Sequence, residues 1–349
     1  MRANILSLLY KISRYIITNF IYLFQKSFSL PKDLEPAVKI GDSIISSTML
    51  FKKVIYEFPL PENYRVEVYD LVFPSPIIGA SFKSDDNVLD MWLRMGIGGV
   101  ILKTIMKDKR VGNPVPRLQD TRYGGVNGLI NSLGLPGAGL NQFLISVKNQ
   151  THWSYKRPIG ISVGGENESD YVEIIKKIEN VIKTLHDQYF YELNISCPNT
   201  KNGQTICENP FELDTLLENL RRITKKTLSV KVSPDISNKI LNDIGIICSN
   251  YDRIIINAGN TQYKSREQVG LNQRDFSMSG GGLSGPSIFP RTLEMIEKLS
   301  KYESHLMATG GISDIKQVNE LKKAGATLFG IATSLVLDPY CIPKINRYL

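Results

Sequence analysis

The sequence predicts an α/β fold, a closed (β/α)8 TIM barrel preceded by a small N-terminal helical appendage. Two observations predict the barrel: short β-branched runs recur from Val66 onward, and amphipathic helical stretches separate most of them. A chain of 349 residues has room for one barrel of about 250 residues and a further segment. We therefore expect a helical segment at residues 1–61 and the barrel at residues 62–349, with an open Rossmann-like sheet as the alternative.

Eight runs are strand candidates, which is the number that a complete barrel requires. They are Pro76–Ser81, Gly99–Thr104, Ile159–Val163, Tyr191–Ser196, Leu228–Ser233, Arg253–Ala258, His305–Thr309 and Thr327–Thr333. The helical stretches are Asn87–Met95, Asp170–His186, Pro210–Thr224, Ser237–Ser249, Pro290–Lys301 and Ile315–Lys323. One connection, from Ile105 to Arg157, is long and has no clear helix. Its Gly and Pro content predicts a functional loop over the barrel mouth.

Residues 1–31 combine an apolar helical face with basic charge. The longest uncharged stretch, Tyr15–Gln25, has 11 residues, whereas a membrane-spanning helix needs about 20. We therefore expect this segment to lie on a membrane surface; packing against the barrel and a cleaved signal sequence are the alternatives. A second helical stretch is predicted over Asp33–Tyr56. The apolar face of residues 1–31 consists of residues that recur mostly at three- and four-residue steps: Ile5, Leu8, Leu9, Ile12, Ile16, Phe20 and Leu23.

Composition excludes several classes of function. The net charge is +8, but half of it belongs to residues 1–31, and the remainder shows no basic run or nucleic-acid motif. We therefore expect no nucleic-acid partner. Four cysteines without a CxxC pair indicate a reducing compartment. Three scattered histidines make no metal-ligand pattern, so no metal site is expected.

The active site of a barrel lies at the C-terminal ends of its strands, and these ends are polar in this chain. Lys103, Asn194, Lys231, Asn257 and Asn260 all lie at a strand end or just past one. Two lysines and several amides at one mouth favour an anionic, planar ligand with many hydrogen-bonding groups. Ordinary solvated rim residues are the alternative.

Glycine-rich segments after the last strands predict a phosphate site. Ala308–Ile312 follows the seventh strand and Gly330–Ser334 closes the eighth, so bare backbone N–H groups lie next to a short helix N-terminus. Gly282–Gly285 can close a third side. Gly280, Gly282 and Gly285 fit a GxGxxG pattern, but no βαβ unit begins there, and we reject a dinucleotide site. Plain turn chemistry is the alternative for these glycines.

Cys197 is the strongest catalytic candidate. It follows a strand end within the segment Asn194–Asn199, where Pro198 fixes the turn. A thiol with a pKa near ~8.5 can be tuned to accept a proton near neutral pH. A structural cysteine is the alternative, and that is our interpretation of Cys207, Cys248 and Cys341.

At these residues the sequence resembles the dihydroorotate dehydrogenase family, flavin enzymes of pyrimidine synthesis. The resemblance covers about Val66 to Pro339, and its motifs are specific in combination although each alone is weak. They occur in family order: Gly112–Arg117, Asn131–Pro136, Asn194–Asn199, Gly281–Gly285 and Thr309–Gly311. The resemblance implies FMN-dependent oxidation of dihydroorotate to orotate.

The resemblance also implies a role for each matching residue. Cys197 would take the C5 proton while the C6 hydride passes to the flavin. Lys103 would contact both flavin and substrate, and Lys231 would lie near the electron-rich edge of the flavin, where a cation stabilises the reduced form. The dihydroorotate ligands would be Asn131, Asn194, Asn199, Asn260 and Thr261. The FMN ligands would be Ala80, Ser81, Lys103, Thr104, Asn194, Lys231, Asn257, Gly285, Gly310, Gly311 and Thr333.

Different features resemble different classes of this family. A cysteine base resembles the soluble class, which uses fumarate, or NAD through a partner subunit. The N-terminal helices resemble the membrane-bound quinone class, which carries serine at that position, and Ala332 stands where the soluble class has glycine. We expect quinone as the acceptor and a peripheral location on the cytoplasmic side of a membrane.

Two alternatives remain. One is the same reaction with a soluble acceptor and a cytoplasmic location. The other is a non-catalytic flavin- or pyrimidine-binding protein at a membrane surface. A homodimer and an electron-transfer subunit are left open.

Overall fold

The computed structural model of the chain describes residues 1–62, 64–195 and 206–349. Within these ranges the strands are β1 (Val66–Val68), β2 (Leu71–Phe73), β3 (Ile77–Gly79), β4 (Gly99–Ile105), β5 (Leu118–Tyr123), β6 (Val126–Asn131), β7 (Ile159–Val163), β8 (Tyr189–Asn194), β9 (Leu228–Val232), β10 (Ile254–Ala258), β11 (Gln262–Ser265), β12 (Gly280–Ser284), β13 (His305–Thr309) and β14 (Leu328–Ile331). Eight of them, β3, β4, β7, β8, β9, β10, β13 and β14, close into a parallel barrel in chain order. Each overlaps one of the eight predicted runs, although Ser196 at the end of one run lies outside the described residues. The predicted TIM barrel is confirmed, and the open sheet is excluded.

The helices surround this barrel and precede it. They are α1 (Arg2–Ser27), α2 (Glu35–Thr48), α3 (Lys52–Ile55), α4 (Asp86–Arg94), α5 (Leu140–Ser146), α6 (Glu168–Ile182), α7 (Pro210–Arg221), α8 (Asn238–Ser249), α9 (Phe289–Leu299), α10 (Ile315–Lys323), α11 (Thr333–Leu337) and α12 (Cys341–Asn346). The six helices predicted between strands are all present, with small shifts at their ends. Several begin at side-chain caps; Asp314, for example, forms a capping box with Gln317 before α10.

The barrel core follows from burial on both faces of each strand. Every residue of β7, β8, β9 and β10 is buried, one set against the helices and the other inside the barrel. The antiparallel hairpin β1–β2, which the sequence analysis did not predict, packs Val68, Leu71 and Phe73 against the inward side chains at the N-terminal ends of the strands. This hairpin closes the barrel at the end opposite the mouth.

The connection from Ile105 to Arg157 was expected to lack secondary structure, and that expectation was wrong. It contains the β5–β6 hairpin and α5. Strand β6 pairs with β12, and β12 pairs with β11, so the connection forms half of a four-stranded antiparallel sheet. Gly282–Gly285 was predicted to close the third side of a phosphate site, with plain turn chemistry as the alternative, and residues Gly280–Ser284 form a strand of this sheet. A Cβ on Gly282 would lie 2.0 Å from Thr261 Oγ1, which explains the glycine at that position.

The predicted second helical stretch is broken into α2, a 3-10 turn at Met49–Phe51, and α3. Helix α1 packs against the rest of the chain through polar contacts. Ser7 Oγ donates to Asp338 Oδ2 over 2.8 Å, Arg14 pairs with Asp120, and Gln25 bonds the backbone of Asp33 in both directions. None of the helices in the described ranges combines the length and the apolarity that crossing a bilayer requires.

The apolar face of α1 is turned away from the barrel. Its seven residues are 46 to 66% exposed, whereas Ser7, Thr18 and Gln25, on the opposite side of the helix, are buried. Leu50, Phe51 and Val54, which follow α2, are also exposed. The alternative in which this face packs against the barrel is therefore wrong for the single chain.

Candidate functional site

A cavity of about 560 Å³ lies at the C-terminal mouth of the barrel. Its size is within the range of small-molecule sites. The strand tips form its floor, and the sheet β5–β6–β12–β11 contributes Leu118, Leu129 and Asn131 to its walls. Leu34, which caps the start of α2, and Val38 of α2 complete the wall. Barrel, sheet and N-terminal helices thus enclose one site.

Thirteen of the predicted site residues line this cavity: Ala80, Ser81, Lys103, Thr104, Asn131, Asn194, Lys231, Asn260, Thr261, Gly285, Gly310, Gly311 and Thr333. Asn257 is fully buried and does not line it. Cys197 and Asn199 lie outside the described residues, so their predicted roles stay predictions.

Lys103 reaches the cavity from an irregularity in β4, where the register with β7 shifts between Leu102 and Ile105. Its backbone N–H donates to Lys83 O and to Ser84 Oγ instead of continuing the ladder. Burial lowers the pKa of the Lys103 ammonium, and the positive charges of Lys83 and Arg117 lower it further. This concentration of positive charge favours an anionic ligand.

Asn194 is oriented by neighbouring hydroxyl groups. Its Nδ2 donates to Thr104 Oγ1 over 2.8 Å, and Thr104 Oγ1 lies 3.0 Å from Ser162 Oγ. Because these residues lie on adjacent strands β4, β7 and β8, the side-chain amide is fixed before any ligand arrives. A preorganised amide of this kind suits a ligand with ring amides.

A polar network lies beneath the cavity. Lys231 Nζ donates to Ser81 Oγ over 3.0 Å, and Glu192 accepts from Ser81 Oγ at 2.6 Å and from Asn257 Nδ2 at 2.8 Å. Lys231 Nζ and Glu192 Oε1 are 3.9 Å apart. Glu192 was not among the predicted site residues, although an acidic residue in an otherwise apolar predicted strand was a signal that could have identified it.

The glycine-rich segments also line the cavity. Gly310 and Gly311 have φ angles of 142° and 74°, which side chains rarely adopt. A Cβ on Gly310 would lie 2.6 Å from Thr292 Oγ1. With Thr333 at the start of α11, these positions present backbone to the cavity, as a phosphate cradle requires.

Two ion pairs attach the N-terminal helices to the cavity wall. Arg117 Nε lies 2.6 Å from Glu35 Oε1, and Lys83 Nζ lies 2.5 Å from Asp42 Oδ2. Lys83, Glu35 and Arg117 were not among the predicted site residues, although Lys83 follows the first strand end and Arg117 closes the motif Gly112–Arg117. Between these pairs the wall is apolar, formed by Leu34, Val38, Leu118, Leu129 and Val336.

The three cysteines within the described ranges are buried and unbridged. Burial raises the pKa of Cys207 to about 11 and that of Cys248 to about 12, and it also raises the pKa of Cys341. Thiols with raised pKa values are poor bases near neutral pH. The structural interpretation of these three cysteines agrees with their surroundings.

Comparisons with known proteins agree on one family. A sequence profile described as dihydroorotate dehydrogenase matches residues 64–349. A dihydroorotate dehydrogenase (quinone) of Thermus thermophilus is 31% identical over 290 residues, 80% of each chain. The catalytic subunit of dihydroorotate dehydrogenase B (NAD(+)) of Thermotoga maritima is 30% identical over 259 residues, covering 72% of this chain and 88% of the relative.

A solved structure supports the fold. The crystal structure of DHODH from Eimeria tenella in complex with ferulenol superposes with a TM-score of 0.72 at 20% identity, covering 88% of this chain and 89% of the other. At this identity the likeness concerns the fold alone.

Proposed function

The chain belongs to the dihydroorotate dehydrogenase family and is an oxidoreductase, and from this premise we propose that it uses FMN to oxidise dihydroorotate and passes the electrons to quinone at a membrane surface. Oxidation of dihydroorotate in pyrimidine biosynthesis is the activity of the family. The FMN, the quinone and the membrane are our proposals. The observation that carries them is the single cavity that joins the cationic barrel mouth to the N-terminal helices.

The residues present fit FMN. Gly310, Gly311 and Thr333 would hold the phosphate, and Lys103 and Lys231 supply positive charge to the same cavity. Thr309 lines the cavity, and its buried Oγ1 has no hydrogen-bond partner within the described ranges. A buried polar atom without a partner is costly, and a ligand with many hydrogen-bonding groups would satisfy it. Bound FMN would accept a hydride and pass electrons on one at a time or in pairs.

The substrate would lie against the polar side of this cavity. Lys103 would contact both flavin and substrate. The carboxylate and the ring amides of dihydroorotate would be hydrogen-bonded by Asn131, Asn194, Asn199, Asn260 and Thr261. Cys197 would accept the proton from C5, and the hydride would pass from C6 to the flavin. The electron pair of the broken C5–H bond would form the C5=C6 double bond, so the substrate loses two electrons and two protons in all. The hydroxyl contacts that hold Asn194 in place would keep the ring in one orientation.

The apolar wall beneath α2 suits a hydrophobic electron acceptor. Leu34, just before α2, and Val38 of α2 cluster with Leu118, Leu129 and Val336. An apolar ring with a prenyl chain would bury its surface against this wall. Helix α1 packs on the same cluster through Ile17 and Ile21. An acceptor dissolved in a bilayer would therefore reach the site from the side of the N-terminal helices.

The outward apolar face of α1 supports the membrane location. Seven large apolar side chains lie on the exposed side of a helix whose segment carries basic and no acidic residues. Such a helix binds in the plane of an anionic membrane surface, with its apolar side at the acyl boundary. The location would be peripheral, on the cytoplasmic side.

A soluble acceptor is the second candidate. The segment Asn194–Asn199 with its cysteine resembles the soluble class, and relatives of the NAD(+) form match almost as well as the quinone form. In that case an electron-transfer subunit would supply the contact with NAD. A non-catalytic flavin-binding protein is a third candidate.

Anaerobic mixing and steady-state assays separate these candidates. We expect purified protein to be yellow and to bleach with dihydroorotate in the absence of oxygen. We then expect turnover with a short-chain quinone to exceed turnover with fumarate or NAD. A yellow protein that never bleaches would contradict the enzymatic proposal, and turnover with fumarate alone would contradict the quinone.

A further inference from the structure

Glu192 lies inside the barrel, fully buried, one residue layer below the cavity. It shares the inward side of β8 with Asn194, because side chains two apart on a strand point to the same side. Burial of a carboxyl group is costly unless each oxygen has a partner. Both oxygens of Glu192 have one: Ser81 Oγ lies 2.6 Å from Oε1 and Asn257 Nδ2 lies 2.8 Å from Oε2.

The direction of these hydrogen bonds follows from the chemistry of the groups. An ammonium has no acceptor, so Ser81 Oγ must accept from Lys231 Nζ, which lies 3.0 Å away. The hydroxyl hydrogen of Ser81 is then free to be donated to Glu192. Glu192 thus accepts hydrogen bonds at both oxygens, which is the pattern of an ionised carboxylate. The Ser81 hydroxyl bridges this carboxylate to the Lys231 ammonium.

Two consequences for the cavity follow from this arrangement. First, a negative charge lies 3.9 Å from the Lys231 ammonium, the cation that a flavin ring would meet. Second, the bond from Asn257 Nδ2 to Glu192 leaves Asn257 Oδ1 as an acceptor with no partner in the described part of the chain. One carboxylate therefore fixes both a cation and an amide at the floor of the site.

We propose that Glu192 is a positioning residue that holds Lys231 and Asn257 and reduces the positive potential that Lys231 exerts on the flavin. This inference rests on the proposed binding of FMN. Reduction adds negative charge to a flavin, so a nearby cation makes reduction easier and a nearby anion makes it harder. Glu192 would therefore keep the midpoint potential of the bound flavin below the value that Lys231 alone would set.

The test is the midpoint potential of the bound flavin, measured by dye equilibration in the purified holoprotein. Glu192→Gln removes the charge with little change in shape, and we expect a shift to a more positive potential. Glu179→Gln is the matched control. Glu179 also accepts hydroxyl bonds, from Tyr189 and Tyr191, but it lies on α6 outside the barrel. We expect the flavin bound to the Glu179→Gln variant to have the same midpoint potential as the flavin bound to the wild type.

A conservative variant keeps the proposal falsifiable if Glu192→Gln does not retain flavin. Glu192→Asp keeps the charge but withdraws it from Ser81, and we expect a smaller positive shift. An unchanged potential in Glu192→Gln would overturn the proposal, as would a shift of equal size in Glu179→Gln. If Glu192→Gln loses its flavin, an unchanged potential in Glu192→Asp overturns it. Wild-type protein without flavin would instead refute the proposed function, before any variant is compared.

Discussion

Arg117 joins Glu35 of the N-terminal helices to the segment that leads into the cover of the barrel mouth. Its Nε donates to Glu35 Oε1 over 2.6 Å, and its Nη1 donates to the carbonyl oxygens of Val111 and Asn113, each over 2.8 Å. The planar guanidinium serves a helix and a loop at the same time, which an ammonium cannot do with the same geometry. Arg117 therefore links the wall of the cavity to the N-terminal helices by direct hydrogen bonds.

Replacement of Arg117 by lysine tests this connection. The variant keeps the charge but loses the planar guanidinium with its several N–H donors, so at least one carbonyl oxygen loses its hydrogen-bond donor. We expect the free energy of unfolding to fall by about 1–3 kcal/mol. Denaturant unfolding measures the change. Arg122→Lys is the control, because Arg122 is exposed and a surface change there should stay within about 0.5 kcal/mol. Equal losses in the two variants would contradict the role of Arg117.

The exposed apolar face of α1 predicts membrane binding, and acidic side chains placed on that face should abolish it. In Ile16→Asp combined with Phe20→Asp, two exposed apolar residues become acidic, so we expect loss of sedimentation with phosphatidylcholine–phosphatidylglycerol vesicles and slower quinone reduction. Stability should change by no more than about 0.5 kcal/mol for each site, because both side chains are exposed. Asn4→Asp places a charge on an exposed flank of the same helix and should retain binding. Vesicle binding by the double variant at the wild-type level would contradict the proposal.

Cys197→Ser should slow the reduction of bound flavin by dihydroorotate near neutral pH, because a serine hydroxyl ionises far less readily than a tuned thiol and so is rarely in the form that accepts a proton. Single-turnover stopped-flow absorbance measures this step apart from the acceptor. Cys207→Ser makes the same atomic change at a buried thiol whose pKa is raised by burial, and its rate per bound flavin should stay near that of the wild type. Equal rates in the Cys197 variant and the wild type would remove Cys197 from the mechanism.

Two histidines make stability depend on pH. Burial lowers the pKa of His186 and of His305 below 6.5, and repulsion from His152 lowers that of His186 further. Between the lowered pKa values of the folded protein and pH 6.5, these two histidines therefore bind more protons in the unfolded chain than in the folded protein. Their contribution to stability is complete above that window and is lost as pH falls through the folded pKa values.

Replacement of His305 by glutamine removes one of these titrations. We expect the free energy of unfolding to fall less between about pH 7 and about pH 5 in this variant than in the wild type. Urea unfolding at the two pH values measures the difference, and the remaining carboxylates act as an internal reference because they are common to both proteins. A decline as steep as that of the wild type would exclude His305 as a source.

The sequence alone determined the barrel and its rim. Strands buried on both faces require continuous apolar runs, and the helices between them show apolar residues at helical spacing. Strands and helices could therefore be located without knowing which elements they pack against. Once the strands are placed, their ends mark the mouth. Lys103, Asn194 and Lys231 could therefore be assigned to one site in advance.

Only the tertiary structure decided what surrounds and supports that rim. The sheet β5–β6–β12–β11 pairs glycine-rich and polar segments that are distant in sequence, and no local period encodes such pairing. Alternation places Glu192 on the inward side of β8, but its bonds to Ser81 and Asn257 depend on the closure of the barrel. The period of α1 likewise identifies an apolar face but not its direction. That direction was decided by contacts on the other side of the helix. Asp338 bonds Ser7 and Asp120 bonds Arg14, while Ile17 and Ile21 pack on the apolar cluster of the cavity wall, so the predicted apolar face stays exposed.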